Sequence, residues 1–305
     1  MVLDLFFLLS GLAIIAKFSS IVVDAATKLS QITGISKTAI GFIVIGVGTS
    51  LPELSIGLIS SLENHGELSV GNLLGANITN LTLILGFMAF IGFNLGKIYS
   101  QQLKRAIAIT AGIAVILVSL GTAGFLFGLF LLSIYYMFSM SVMRKGIIIG
   151  ENVDTFVAAK AALKLLISVA IVVMSAYVTT NSAISLAAVL GMSNTIIGAT
   201  IISIGTTMPE LSVNLAAVRK RNLSLAIGDF IGTITSNLAL ILGIVTIINP
   251  VHMSADILLL ASLFLATSML VYVLASRLSF GLKESLLLTA IYVIYLLSLF
   301  IIGVV

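Results

Sequence analysis

Long apolar runs alternate with short polar connectors along almost the whole chain. Each run holds about twenty residues, the length that an α-helix needs to cross the hydrocarbon core of a bilayer. The pattern predicts an all-α polytopic membrane protein with ten helices, at residues 3–26, 37–62, 68–93, 102–121, 123–142, 159–185, 194–218, 223–249, 254–275 and 282–302. A polar connector at 144–158 separates a first five-helix unit, 1–143, from a second, 159–305.

The lysine and arginine residues fall on one side of this pattern. With the N-terminus placed outside, fourteen of the fifteen basic residues lie on the cytoplasmic side, and the exception is Lys17 within the first run. Cytoplasmic connectors of membrane proteins carry such an excess of basic residues. The sequence therefore predicts a multi-pass protein of the cell membrane with both termini outside.

The two units share a sequence pattern. GTSLPELS at Gly48–Ser55 returns as GTTMPELS at Gly205–Ser212, and GNLLGANITN at Gly71–Asn80 returns as GDFIGTITSN at Gly228–Asn237, both at an offset of 157 positions. Since each unit has an odd number of spans, the second copy enters the membrane from the opposite face. The units are therefore predicted to be inverted repeats, which are typical of secondary transporters with substrate sites near the bilayer midplane.

Each copy of the first motif places a proline and a glutamate inside an apolar span. Pro52 and Pro209 lack a backbone donor and are expected to break their helices beside Glu53 and Glu210. An unpaired charge at the bilayer centre costs about 2.5 to 3.5 kcal/mol on insertion scales. Two glutamates at matching depth therefore indicate a pair of cation ligands. The alternative is a kinked structural helix whose acid is protonated or paired with Lys17.

Hydroxyl groups precede each glutamate by three and four positions, on the same helical face; they belong to Thr49, Ser50, Thr206 and Thr207. Together with carbonyls freed by the prolines, they supply the roughly six to eight oxygen ligands that Ca²⁺ takes. Two ionised glutamates neutralise one divalent cation. Mg²⁺ fits less well because it surrenders its waters reluctantly. Zn²⁺ is disfavoured because the chain has no cysteine and both histidines lie in connectors.

Asn80 and Asn237 fall near the centres of the third and eighth predicted spans. An amide at such a place binds the cation, orients a glutamate carboxylate, or serves only as an interhelical hydrogen bond. The sequence leaves these three roles open.

These motifs, repeated within ten predicted spans, resemble the calcium/cation antiporter superfamily, and within it the sodium/calcium exchanger branch. The resemblance covers nearly the whole chain. It implies an alternating-access exchanger in which Glu53 and Glu210 bind Ca²⁺ and the four hydroxyls line the same site. It also implies neighbouring Na⁺ ligands, namely the carbonyls of Gly46 and Ser203 and the hydroxyl of Thr233.

The chain departs from this family at three positions. Ala76, which matches Thr233, stands where sodium-coupled relatives typically offer a hydroxyl, and Asn237 stands where several have aspartate. Asp229 replaces a usual asparagine, and we expect it to form an interfacial ion pair with Arg219–Arg221 rather than to bind the cation. These changes weaken the expected sodium sites. Na⁺ is still the first choice of counter-ion, because GTS before LPE and GTT before MPE differ from the pattern of proton-coupled relatives, and H⁺ is the alternative.

Other function classes receive less support from the sequence. With 60% apolar and 9% charged residues the chain is not a soluble globular domain, and its basic residues form no nucleic-acid patch. We expect no cofactor, and no nucleophile–base pair or HExxH motif indicates an intramembrane enzyme. A cation channel remains a remote alternative. The expected partners are Ca²⁺, Na⁺ or H⁺ and the lipid bilayer, and the oligomeric state stays open.

Overall fold

A computed structural model of the chain describes residues 2–91, 97–144, 155–187, 198–276 and 281–304. Lys145, Arg277 and most of the predicted connector lie outside the described residues. Almost all of the described chain is helical, as the apolar runs predict. Four stretches have the wider π-helical turn, and they fall at matching places in the two halves: Gly41–Gly46 and Gly198–Ile202, Asn80–Ile84 and Ser236–Ile241.

The α-helices of the first half are α1 (Val2–Thr33), α2 (Lys37–Ile40), α3 (Val47–Thr49), α4 (Leu51–Leu62), α5 (Gly66–Thr79), α6 (Leu85–Phe90), α7 (Lys97–Ser119) and α8 (Phe125–Arg144). Those of the second half are α9 (Thr155–Ala187), α10 (Ser203–Thr206), α11 (Met208–Arg219), α12 (Leu223–Thr235), α13 (Leu242–Ile248), α14 (Ala255–Ala275) and α15 (Leu282–Val304). Two short strands, β1 (Thr122–Ala123) and β2 (Val251–His252), pair antiparallel.

Several of these elements join into membrane-length helices. Within the described residues, eight are long and apolar enough to cross a bilayer, and the pair Lys37–Thr49 and Leu51–Leu62, bent by 43°, makes a ninth if it is one span. The helical residues 198–219 have the corresponding place in the second half. The protein is therefore a helical multi-pass membrane protein.

The core lies around α5 and α12 with their π-helical extensions, which form the most buried of the candidate spans. Glycines bring these helices against the first part of the opposite half. A Cβ at Gly232 would lie 2.5 Å from the carbonyl oxygen of Phe42, and one at Gly75 would lie 2.5 Å from that of Ala199. The two contacts are equivalent, because Gly75 and Gly232, like Phe42 and Ala199, are separated by 157 positions. Contacts between the halves thus come in reciprocal pairs.

The two ends of the molecule differ in chemistry. At one end Thr122 pairs with His252, and the Asn249 amide donates to the Asn64 side chain at 3.3 Å. The opposite end carries basic side chains. There Lys220 pairs with Asp24 at 2.6 Å, and the Lys37 ammonium donates to Asn222 at 2.6 Å. These contacts tie the ends of helices from different halves together.

Candidate cation-binding site

Both motif helices break where the prolines predict. The helical path stops at Ser50 (φ −80°, ψ 9°) and at Thr207 (φ −83°, ψ 2°), and α4 and α11 start afresh with proline in the first turn. Glu53 and Glu210 lie in those first turns. A carboxylate there is stabilised by the free N–H groups and the positive end of the helix dipole. The break therefore places each glutamate at the start of a helix inside the molecule.

Glu53 and Glu210 are completely buried, with 0% exposure each. None of their four carboxylate oxygens receives a hydrogen bond. The two side chains lie close enough to interact through their charges. Lys17 is exposed on α1 and pairs with neither glutamate, which removes the ion pair that the sequence left as an alternative. A buried acceptor without a donor is unfavourable unless a ligand completes it.

Each glutamate lies beside a hydroxyl of the opposite half, Glu53 beside Thr206 and Glu210 beside Thr49. The hydroxyls also make long contacts to other acceptors. Thr206 Oγ1 is 3.3 Å from Asn72 Oδ1, and Thr49 Oγ1 is 3.5 Å from the Gly46 carbonyl. When a hydroxyl hydrogen points to one of these acceptors, the oxygen lone pairs are free to face a cation. The glutamates and hydroxyls of the two halves thus meet in one place.

The remaining two hydroxyls hold the backbone at the break. Ser50 Oγ donates to the Gly46 carbonyl at 2.8 Å, and Thr207 Oγ1 donates to the Ser203 carbonyl at 2.8 Å. Gly46 and Ser203 were the carbonyls implied as sodium ligands, and both are buried at the ends of π-helical turns. The Ser203 carbonyl also accepts the backbone N–H of Thr207 at 3.1 Å.

The two central asparagines do not donate to the glutamates. Asn80 Nδ2 donates to the Ala76 carbonyl at 2.8 Å, and Asn237 Nδ2 donates to Asn77 Oδ1 at 3.0 Å. Because an acceptor faces the Nδ2 group of each asparagine, the orientation of both amides is fixed. Their oxygens, Asn80 Oδ1 and Asn237 Oδ1, are buried without a donor. Of the three roles left open, orientation of a glutamate by the amide N–H has no support in these contacts.

Thr233 carries a completely buried hydroxyl that makes no hydrogen bond. Its matching position, Ala76, is equally buried and offers no side-chain oxygen. The difference between the two halves that the sequence indicated is therefore present inside the core.

The expected interfacial ion pair of Asp229 is wrong. Asp229 has 0% exposure, accepts a hydrogen bond from Asn214 Nδ2, and lies beside Thr49 and Glu210. Arg219 and Arg221 are exposed. The reason is helical geometry: α12 starts at Leu223, and six residues of helix carry Asp229 about 9 Å inward.

Sequence reasoning also missed three amides around the site, Asn72, Asn77 and Asn214, all of which are completely buried. Asn72 receives the Thr206 hydroxyl, and Asn77 Nδ2 donates to the carbonyl of Ile234 at 3.0 Å. The available signal was that each is an amide within an apolar span.

Within the part of the chain that the structure describes, no three His, Cys, Asp or Glu side chains are grouped closely enough to hold a metal ion. A cation at this site would therefore be held by few carboxylates and many neutral oxygens. A cavity of about 190 Å³ lies at the basic end, and its lining includes Thr38, Gln102, Arg105 and Gly228. Its lining includes neither glutamate nor Asp229.

The sequence matches the model of the family described as sodium/calcium exchanger protein over residues 3–143 and 160–301. The chain belongs to the sodium/calcium exchanger family. The inner membrane protein YrbG of Escherichia coli is 30% identical over 261 residues, covering 80% of this chain and 79% of YrbG. The sodium/calcium exchanger MaX1 of Methanosarcina acetivorans is 25% identical over 346 residues, covering 96% and 97%.

A solved structure of the sodium-calcium exchanger NCX_Mj, soaked with Na⁺ and Ca²⁺, superposes with a TM-score of 0.83 at 25% identity, covering 98% of this chain and 99% of that one. The matches are to exchangers and other membrane proteins, in agreement with a transporter rather than an enzyme. The family membership that the two motifs predicted is confirmed. The family is one of cation exchangers, which agrees with the predicted class of function.

Proposed function

We propose that this family member exchanges Ca²⁺ for Na⁺ across the cell membrane by alternating access. The observation that carries the proposal is the pair of completely buried glutamates without hydrogen-bond donors. Around them stand hydroxyl, amide and backbone oxygens rather than positive groups. Hard oxygen ligands of this kind, with two negative charges, suit one Ca²⁺.

In this proposal Glu53 and Glu210 bind Ca²⁺, with the hydroxyls of Thr49, Ser50, Thr206 and Thr207 at the same site. Na⁺ competes for the glutamates, and its further ligands are the carbonyls of Gly46 and Ser203, the Thr233 hydroxyl, and the amide oxygens of Asn80 and Asn237. Competition for shared carboxylates couples the two fluxes, since occupancy by one cation excludes the other.

We further propose that the chain forms ten spans in two inverted five-helix repeats, 1–143 and 159–305, joined by a cytoplasmic connector, with both termini outside. The reciprocal contacts support this. Gly75 against Ala199 matches Gly232 against Phe42, and α6 packs on α15 as α13 packs on α8. Basic side chains at one end support the orientation.

A proton is the second candidate counter-ion. The observation that favours it is the weaker sodium environment, because Ala76 supplies no hydroxyl opposite Thr233 and a neutral amide stands at Asn237. Buried glutamates without donors are also the groups that would carry a proton.

Proteoliposomes that contain the purified protein decide between these cycles. We expect ⁴⁵Ca²⁺ uptake when Na⁺ is loaded inside and absent outside, and no comparable uptake under an imposed pH gradient at equal Na⁺. Uptake driven only by the pH gradient would replace Na⁺ with H⁺. Ca²⁺ flux that persists without either gradient would overturn the exchanger and favour a channel.

A further inference from the structure

The second repeat carries an acid that the first lacks. Asp229 occupies the position that matches Asn72, at the offset of 157. Both side chains are completely buried, but only Asp229 brings a charge. Its Oδ1 receives no hydrogen bond, and it forms no ion pair among the described residues. When it is ionised, this carboxylate has no compensating positive group among the described residues.

Asn214 holds this carboxylate in place. Its Nδ2 donates both to the backbone carbonyl of Glu210, at 2.9 Å, and to Asp229 Oδ2. Because both partners are acceptors, the amide cannot be turned around, and the remaining atom is the oxygen. Asn214 Oδ1 is buried without a donor. The matching position in the first repeat is Gly57, which has no side chain, so the whole arrangement belongs to the second repeat.

Four buried acceptor atoms belong to Asp229 and its neighbours. They are Asp229 Oδ1, Asn214 Oδ1 and the two carboxylate oxygens of Glu210, none of which receives a hydrogen bond. Thr49 lies beside both acids. When the two acids are ionised, the Thr49 hydroxyl cannot complete all of these acceptors, and a positive partner would stabilise them.

We propose that Asp229, Asn214, Glu210 and Thr49 form a second cation position, which binds Na⁺. The inference rests on the proposed function. A Ca²⁺ ion uses the charges of the two glutamates, so the additional single charge of Asp229 suits a monovalent ion. The oxygen ligands suit a hard one.

This position is distinct from the sodium ligands that the family resemblance implies. Asp229 precedes Thr233 by four residues and Asn237 by eight, which are about 6 and 12 Å along a helix. It is displaced along α12 towards the basic end of the molecule.

The variant Asp229→Asn tests the position, because it installs the residue that the first repeat already uses and keeps an acceptor for Asn214. Purified wild type and variant are compared in detergent by two readouts. One is ⁴⁵Ca²⁺ binding without Na⁺, and the other is the rise of the thermal unfolding midpoint with NaCl, with choline chloride as the ionic-strength control. Bound Na⁺ raises the midpoint because it stabilises only the folded state.

We expect the variant to bind Ca²⁺ within about twofold of wild type, while the Na⁺ concentration for half of the midpoint shift rises at least about tenfold. Glu63→Gln, which neutralises an exposed acid at the end of α4, should leave the Na⁺ curve unchanged. An unchanged Na⁺ curve in Asp229→Asn would overturn the position, and so would equal losses of Ca²⁺ and Na⁺ binding, which would indicate one shared site.

A second variant keeps the proposal testable if Asp229→Asn does not fold. Asn214→Ser removes the amide oxygen and should also weaken Na⁺ binding at least about fivefold; unaltered Na⁺ binding would contradict the proposal. Failure of the proposed function looks different, since wild type would then bind no Ca²⁺ while the Na⁺ comparison between wild type and Asp229→Asn would still stand.

Discussion

The two halves of the site agree in their carboxylates and differ in the polar groups around them. Each half supplies a glutamate at a helix start and two hydroxyls before it, and each glutamate lies beside a threonine of the other half. In contrast, Thr233, Asn214 and Asp229 of the second half stand opposite Ala76, Gly57 and Asn72 of the first. The comparison separates the matched glutamates and hydroxyls, which we assign to Ca²⁺ and for which Na⁺ competes, from the unmatched groups, which we assign to Na⁺ alone.

The largest effect should come from neutralising the shared acids. We expect Glu53→Gln and Glu210→Gln each to reduce Ca²⁺ exchange by roughly 100-fold or more, because removing one charge of a buried charged cluster costs about 3 to 5 kcal/mol. The two losses should be equal within a few fold. Gradient-driven ⁴⁵Ca²⁺ uptake measures this, with Glu63→Gln at an exposed helix end as the control. Undiminished exchange in either variant would remove that glutamate from the site.

Substitution of either glycine in the reciprocal contacts should lower the stability of the protein by a similar amount. In Gly75→Ala and Gly232→Ala the new methyl group would lie 2.5 Å from a backbone carbonyl oxygen of the opposite half. Such overpacking costs about 1 to 3 kcal/mol, so both variants should unfold at lower temperature in detergent. Gly112→Ala is the matched control, since a Cβ there meets nothing within 4 Å. A midpoint equal to that of the control would show that the halves approach less closely.

Asn77 holds the Asn237 amide in place, and only the first half has such a residue, because the matching position in the second half is Ile234. In Asn77→Ile the carbonyl of Ile234 loses its donor and Asn237 loses its acceptor. Leaving a buried polar group unsatisfied costs about 1 to 3 kcal/mol, so we expect a lower unfolding midpoint and weaker cation binding. Thr82→Val is the control, because Thr82 bonds only within its own helix. Cation binding that matches the control would remove Asn77 as a support of Asn237.

The smallest effect should come from the unmatched hydroxyl. Thr233→Ala makes the second half resemble the first and should lower the apparent Na⁺ affinity about fivefold, the value of a ligand worth about 1 kcal/mol. Ala76→Ser should shift the affinity the other way. Na⁺ dependence of exchange measures both, and Thr235→Ala, whose hydroxyl bonds within its helix, is the control. Equal Na⁺ curves for Thr233→Ala and wild type would exclude the hydroxyl as a ligand.

Some of the site could be predicted because it depends on local chemistry. Proline without a donor breaks a helix wherever it falls, so the positions of Pro52 and Pro209 foretold the interruptions beside the glutamates. The offset of 157 positions predicted which residues of the two halves occupy equivalent places. The family followed from the same motifs.

The remaining features depend on how the halves meet, which no local pattern encodes. That Thr206 faces Glu53 follows from the packing of one half on the other. Asp229 was misplaced because its distance in sequence from Arg219–Arg221 is short, whereas the helix that starts at Leu223 carries it into the core. The contact between Asn214 and Asp229 could not be predicted either, because it joins two different helices.

The central claim is that the two halves build one Ca²⁺ site that Na⁺ contests. Equilibrium ⁴⁵Ca²⁺ binding to the purified protein, with and without NaCl, tests it most directly. We expect one Ca²⁺ per chain, displaced competitively by Na⁺ and lost in both Glu53→Gln and Glu210→Gln. Two Ca²⁺ per chain, with one retained in each single variant, would contradict the account.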